Sequence, residues 1–195
     1  MGHAPENTRE SFEKAIALGC DEVETDVWLV GSRLAIAHDR ENAATAPLAL
    51  DDVLALCHGR VTLNVEMKCA DSEAAARETG MAVATHLAAH GDGAYVSSFW
   101  WSALVGAHDA APRVRRAFIY SGAPDLAALI RGAKELGLAA LHPNHRSVTP
   151  ELLAAAHAAG LLVNPWTVNE PSRIAELAAM GVDGIASDFP ERVPK

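Results

Sequence analysis

Basic residues are in short supply. The 195-residue chain carries 16 Lys and Arg against 25 Asp and Glu, a formal net charge of −9. Nucleic-acid binders present a basic face to phosphates, and no run of clustered Lys and Arg exists here, so a nucleic-acid partner is not expected. Cysteine is almost absent. Cys20, Cys57 and Cys69 are odd in number and lack metal-ligand spacing, which points to reduced thiols in a cytoplasmic protein. Long apolar runs are missing too. The longest stretch free of Asp, Glu, Lys and Arg, Leu152 to Asn169, is broken by Gly160, Asn164 and Pro165, and reads as a helix followed by a strand. Neither membrane insertion nor a signal peptide is expected. The nucleophile elbow G-x-S-x-G, the Walker loop, G-x-G-x-x-G and H-E-x-x-H are all missing.

What is present is a rhythm of helix, glycine and short apolar strand. Asn7 or Thr8 caps a helix with Phe12, Ala15 and Ile16 on one face, and Gly19 ends it before a strand from Asp21 to Val27. Gly31-Ser32 turns a hairpin back through Leu34 to Ala37. The alternation continues through strands at Val61–Met67, Ala94–Ser98, Arg116–Tyr120, Leu138–Leu141, Leu161–Val168 and Val182–Ser187. Between them lie helices at Leu50–Cys57, Ser72–His90, Ser102–Asp109 and Asp125–Leu136, and helices opened by Thr149-Pro150 and Asn169-Glu170-Pro171. Strands alternating with helices give a parallel sheet with right-handed crossovers, an α/β fold. Seven strands suit parallel pairing, where a closed (β/α) barrel has eight and about 250 residues. No linker divides residues 1–195, so one domain is expected.

In such a fold, chemistry gathers at the C-terminal ends of the strands. Glu24 and Asp26, two apart in Val23-Glu24-Thr25-Asp26-Val27, share one face of a strand. Glu66 and Lys68 repeat the spacing at the end of the next parallel strand. Either pair alone is explained by solvent-facing positions or a surface ion pair. Three carboxylates on two adjacent strand ends repel unless a cation neutralises them, and all-oxygen ligation suits Mg²⁺ or Ca²⁺. His38, closing the hairpin strand before Asp39, is a candidate general acid or base. His142 and His145 follow a strand and are weaker candidates for the same pocket. His58, His86, His90, His108 and His157 fall on or after helices, away from strand ends. Trp166 sits late in a strand, where an indole packs the core or walls an apolar part of a substrate. Cys69 lacks a histidine partner in the sequence pattern, which argues against a catalytic thiol.

Ala4-Pro5-Glu6-Asn7-Thr8, Val23-Glu24-Thr25-Asp26-Val27, His38-Asp39, Asn64-Val65-Glu66-Met67-Lys68, Ser97-Ser98-Phe99, Trp166-Thr167-Val168-Asn169 and Gly181-Val182-Asp183-Gly184-Ile185 with Asp188 and Pro190 form an ordered set. Together they resemble the glycerophosphodiester phosphodiesterases across essentially the whole chain. The resemblance implies a TIM (β/α)8-type barrel with a hairpin inserted after the second family strand. It also implies metal-dependent hydrolysis of a small glycerophosphodiester to glycerol 3-phosphate and an alcohol. Position by position, Glu24, Asp26 and Glu66 match the family's metal ligands and His38 the second of two catalytic histidines. Lys68 matches a phosphate-side lysine, Trp166 an aromatic of the pocket wall, and Glu6 and Asn7 a supporting motif.

The family pattern begins with a strand ending in His-Arg-Gly, and that motif is missing here; His3 occupies a variable position and does not replace it. The absent strand is also the eighth one. Three expectations follow: an active enzyme of which Met1 is an internal methionine, a truncated barrel that retains metal or phosphate binding, or a non-catalytic partner-binding barrel. The connection from Asp39 to Leu48 is short beside the family's usual one, implying a more open site.

Overall fold

The computed structural model describes residues 2–69 and 72–194; Met1 lies outside them. The chain falls into two compact units, His3–Arg116 and Ala117–Lys195.

The first unit opens with helix α1 (Arg9–Ala17). Its N-terminus is held by a capping box in which the Thr8 hydroxyl accepts from the Ser11 amide and Ser11 Oγ accepts from the Thr8 amide. Of the two expected caps it is Thr8 that serves, because Asn7 turns its side chain toward the neighbouring strand. Leu18 caps the helix and Gly19, at φ +75°, reverses the chain into β1 (Glu22–Val30). A turn at Gly31, φ +62°, returns it as β2 (Arg33–Ile36), paired antiparallel with β1. A short helix α2 (Arg40–Ala43) and α3 (Leu50–Cys57) follow. The short connection from Asp39 to Leu48 is thus partly helical, through α2.

Strand β3 (Thr62–Met67) pairs parallel with β1, and β4 (Ala94–Ser98) pairs parallel with β3. The alternation of β1 decides what each face does. Val23, Thr25 and Val27 are buried on one face, while Glu22, Glu24 and Asp26 occupy the other. Helices α4 (Glu73–His90) and α5 (Trp101–Ala110) pack backbone to backbone. A Cβ on Gly80 would sit 1.9 Å from the Ala103 carbonyl oxygen, and one on Gly106 2.2 Å from that of Arg77. Arg77 and Asp109 form an ion pair across the two helices.

The second unit runs β5 (Arg116–Tyr120), α6 (Leu126–Glu135), β6 (Ala140–Pro143), α7 (Pro150–Ala158), β7 (Leu162–Val163) and α8 (Pro171–Met180). Its strands pair in parallel, β5 with β6 and β6 with β7. Asp125 and Thr149 cap α6 and α7, and Gly181 ends α8 at φ +86°. Two expected strands are corrected. Leu161–Val168 reduces to Leu162–Val163 with an isolated bridge at Trp166. Residues Val182–Ser187 form no strand, and pair only through single bonds such as Val168 N–H to Ala186 O and Ala186 N–H to Pro165 O. Pro165 offers no N–H, and Gly184 lies against the Asn164 side chain, so the ladder never becomes continuous. Among the described residues no helix is long and apolar enough to cross a membrane.

Candidate active site

Parallel register sets the site. Glu24 lies opposite Asn64 and Asp26 opposite Glu66, so side chains from the middle of β1, which runs on to Val30, and from the C-terminal half of β3 are presented together. Glu24, Asp26 and Glu66 each offer a carboxylate oxygen within 4.8 Å of the others, a metal-capable group among the described residues. Lys68, just past the end of β3, places Nζ 3.1 Å from Asp26 Oδ1 and 2.9 Å from Glu66 Oε1. The expected Glu66–Lys68 pair is thus part of the acidic cluster and not a surface bridge.

The crowding raises the carboxyls. Burial among protein atoms, followed by the charges of Asp26 and Glu66, pushes the Glu24 carboxyl well above the usual carboxylate range, although solvent still reaches its side chain. Burial, offset partly by Lys68, also raises Glu66. Burial works to lower the Lys68 ammonium, but Glu66 and Asp26 outweigh it and hold it above its ordinary value. With Lys68 charged, three carboxylates leave two formal negative charges, which one divalent cation balances.

The residues present fit such an ion. Opposite oxygens around Ca²⁺, bonded at 2.3–2.6 Å, lie about 5 Å apart, and around Mg²⁺ about 4 Å. A separation limit of 4.8 Å therefore accommodates either with little movement. Asn64 Oδ1 and Ser97 Oγ, buried on the strands beside Glu24 and Glu66, have no hydrogen-bond partner among the described residues and can bond the waters of a cation's shell.

Asn7 fixes one of the three carboxylates. It adopts a left-handed backbone, φ +55°, which Asn tolerates better than other non-glycine residues. From there Nδ2 donates to Asp26 Oδ2 at 2.8 Å, while Oδ1 accepts from the Thr25 hydroxyl at 2.9 Å and the Asp26 amide at 3.3 Å. One oxygen of Asp26 is clamped, and the other faces Lys68. Glu6, exposed beside it, contributes repulsion to Glu24.

His38 is half exposed, and its Nδ1 lies 3.0 Å from Asp39 Oδ1. With Asp39 ionised, Nδ1–H donates, and Nε2 is left to exchange a proton. When protonated, His38 lowers the Glu66 carboxyl. Trp166 lies in the second unit, half-buried, its Nε1–H donating to the His142 carbonyl at 2.8 Å. His142 itself is buried at 5% exposure in β6, and burial lowers it to about 4. Burial raises Cys69 to about 11, consistent with a thiol that is no nucleophile.

A profile of the glycerophosphoryl diester phosphodiesterase family matches residues 32–192. The chain belongs to that family. Its relatives agree along the whole length. A glycerophosphodiester phosphodiesterase of Bacillus altitudinis is 29% identical over 234 aligned positions, covering 100% of this chain and 93% of that one. A phosphodiesterase of Oleispira antarctica, solved with the product sn-glycerol-3-phosphate, is 26% identical with TM-score 0.86 over 98% of this chain and 91% of its own. A glycerophosphodiester phosphodiesterase of Parabacteroides distasonis, 21% identical, shares the fold with TM-score 0.82 over 95% and 87% of the two chains. The fold is the family's α/β barrel type. The Bacillus altitudinis alignment is longer than this chain, so that relative carries insertions inside the matched region.

Two features of the site escape a residue-by-residue reading. Glu22 continues the acidic face of β1, its Oε1 accepting from Tyr95 Oη at 2.7 Å; the period of two in Glu22, Glu24 and Asp26 is the signal. The Asn7 clamp also has a copy. Asn169 Nδ2 donates to Asp188 Oδ2 at 2.7 Å, and Asn169 Oδ1 accepts from Ser187 Oγ and the Asp188 amide at 3.2 and 3.0 Å. Each Asn precedes its Asp by 19 residues. Gly19 and Gly181, Asp21 and Asp183, and Thr25 and Ser187 match in step.

Proposed function

We propose that this chain is a cation-dependent phosphodiester hydrolase that cleaves glycerophosphodiesters to glycerol 3-phosphate and an alcohol. The observation that carries this reading is the convergence of Glu24, Asp26, Glu66 and Lys68, two net negative charges beside a cation-competent oxygen set, in a member of this family. Glu24, Asp26 and Glu66 hold one divalent ion, Mg²⁺ or Ca²⁺. When bound, that ion stabilises negative charge developing on a phosphate oxygen. Lys68 holds Asp26 and Glu66 in place and supplies a positive contact to the phosphate. His38, oriented through Asp39, transfers a proton at a bridging oxygen through Nε2. Trp166 walls the apolar part of the substrate, and Glu6 and Asn7 support the ligands. Residues 1–195 act as one domain on a small molecule.

A second reading has the barrel bind cation and phosphate without turnover. The two readings differ in whether His38 moves a proton at the phosphate. Losing one positioned acid or base costs about 10²–10⁴ in rate. One assay separates the two: release of glycerol 3-phosphate from glycerophosphocholine with Mg²⁺ or Ca²⁺, then with EDTA. Cation-dependent turnover that falls on His38→Ala, with calcium affinity unchanged, supports the enzyme. Saturable binding of glycerol 3-phosphate with no turnover supports the second reading. Turnover untouched by EDTA, or calcium affinity unchanged in Glu66→Gln, overturns the assignment of the cluster.

A further inference from the structure

Away from the acidic cluster, the last turn of α4 carries a different set of metal-ligating groups. His86 and His90 are four residues apart on the helix, so their rings stand on one face. Their centres lie 5.0 Å apart with the planes tilted at 51°. A zinc-type ion bonds imidazole nitrogen at about 2.0–2.1 Å, and tetrahedral angles then set two ring centres about 5 Å apart. The observed spacing matches that requirement before any ion is added.

A second observation points the same way. Asp51, in the first turn of α3, places Oδ1 2.6 Å from His86 Nε2. A carboxylate on one imidazole nitrogen fixes the tautomer and leaves Nδ1 with its lone pair, the arrangement that supports metal-bound histidines. The position of His90 in the last turn also suits the negative end of the helix dipole. That favours a cation there in general, but leaves the Asp51–His86 pair unexplained.

We propose that His86 and His90, with Asp51 behind His86, form a second metal site, for a borderline ion such as Zn²⁺ or Ni²⁺ whose remaining positions are filled by water. Imidazole ligation separates it chemically from the oxygen-only cluster at Glu24, Asp26 and Glu66, which suits Mg²⁺ or Ca²⁺. The two sites share no residue, and this one does not rest on the phosphodiesterase reading. An ion here links the end of α4 to the start of α3 through Asp51, and so stabilises the folded chain in proportion to its occupancy.

The test is calorimetric titration of Zn²⁺ alone into the tag-free full chain, held in excess Mg²⁺ so that the oxygen site is filled. One Zn²⁺ per chain is expected, with a metal-dependent rise in Tm. His90→Gln, at an exposed position, lowers the affinity at least tenfold and abolishes the rise in Tm. Asp51→Asn weakens binding about 10–100-fold, as loss of a second-layer carboxylate does. Glu66→Gln leaves it unchanged. No saturable binding, equal affinity in His90→Gln, or loss of binding in Glu66→Gln would each overturn the proposal.

Discussion

The Asn7 clamp yields a prediction in which the order of two variants is the test. Asn7→Gly and Asn7→Ala both remove the bonds to Thr25 Oγ1, the Asp26 amide and Asp26 Oδ2. The bond to a carboxylate contributes about 1.5–3 kcal/mol and each neutral one about 1 kcal/mol. Both variants should therefore lose about 3.5–5 kcal/mol. They differ in the backbone. Residue 7 sits at φ +55°, where Ala pays about 1–2 kcal/mol and Gly nothing. In regular structure Gly is the worse substitute by about 0.5–1 kcal/mol, so here the usual order reverses and Asn7→Ala is the less stable. Urea unfolding at pH 7 with EDTA measures the stabilities. Calcium titration reads the function: with Asp26 free to turn, affinity should fall about tenfold in both variants. Asn7→Ala more stable than Asn7→Gly would refute the backbone argument. Unchanged calcium affinity in both would refute the claim that Asn7 orients a ligand.

Gly80→Ala sets a helix-propensity gain of about 1 kcal/mol against a Cβ placed 1.9 Å from the Ala103 backbone oxygen. No side-chain rotation relieves a backbone clash, so α4 and α5 must part and a net loss of about 1–3 kcal/mol is expected in urea; a neutral or stabilised variant would contradict that contact. His142, lowered to about 4 by burial, stays neutral in the fold while the unfolded chain takes up a proton below about 6.5. Stability is therefore lost as pH falls from about 6.5 toward 4, by about 2 kcal/mol between pH 6.5 and 5; His142→Gln should flatten that limb, and an unchanged slope would disprove its origin. Asn169→Asp sets a second carboxylate oxygen where Nδ2 now lies 2.7 Å from Asp188. Repulsion of about 6 kcal/mol exceeds the roughly 4 kcal/mol needed to protonate one carboxyl at pH 7, so the pair holds a proton and the variant loses more stability at pH 8 than at pH 5; equal losses would argue against the clamp.

Much of the site was legible because its signals are local. Period-two spacing in β1 and β3 put Glu24 with Asp26, and Glu66 with Lys68, on one face each, and parallel register brought them into one cluster. The hairpin at Gly31 and most helix ends followed from turn and cap chemistry. What stayed hidden depends on contacts between distant residues. Strand length at Val182–Ser187 was over-read because apolar pattern does not reveal that Pro165 and Gly184 interrupt the pairing. The burial of His142 depends on what covers β6, and the Asp51–His86 pair joins two helices 35 residues apart in sequence.

The duplicated clamp explains why a short α/β unit can carry a charged site. A carboxylate at a strand end has free rotation and heavy solvation, both of which must be given up to hold a ligand. An Asn at the mouth of the preceding helix removes the first freedom through one oxygen and leaves the other oxygen for chemistry. It also satisfies the Thr25 or Ser187 hydroxyl beside the carboxylate, so no buried donor is left over. The whole device fits within the 19 residues from Asn to Asp, which makes it independent of distant packing. In the first unit it is joined by Glu24, Glu66 and Lys68, and only there does a clamped aspartate become one of three carboxylates around a balancing charge. In the second unit the position matching Glu24 is Ala186, so the same clamp presents a single carboxylate with no acidic neighbour two residues before it. The difference between a lone supported aspartate and a three-carboxylate cluster in this chain thus comes down to the residue two positions before the aspartate and to what the next strand sets opposite it.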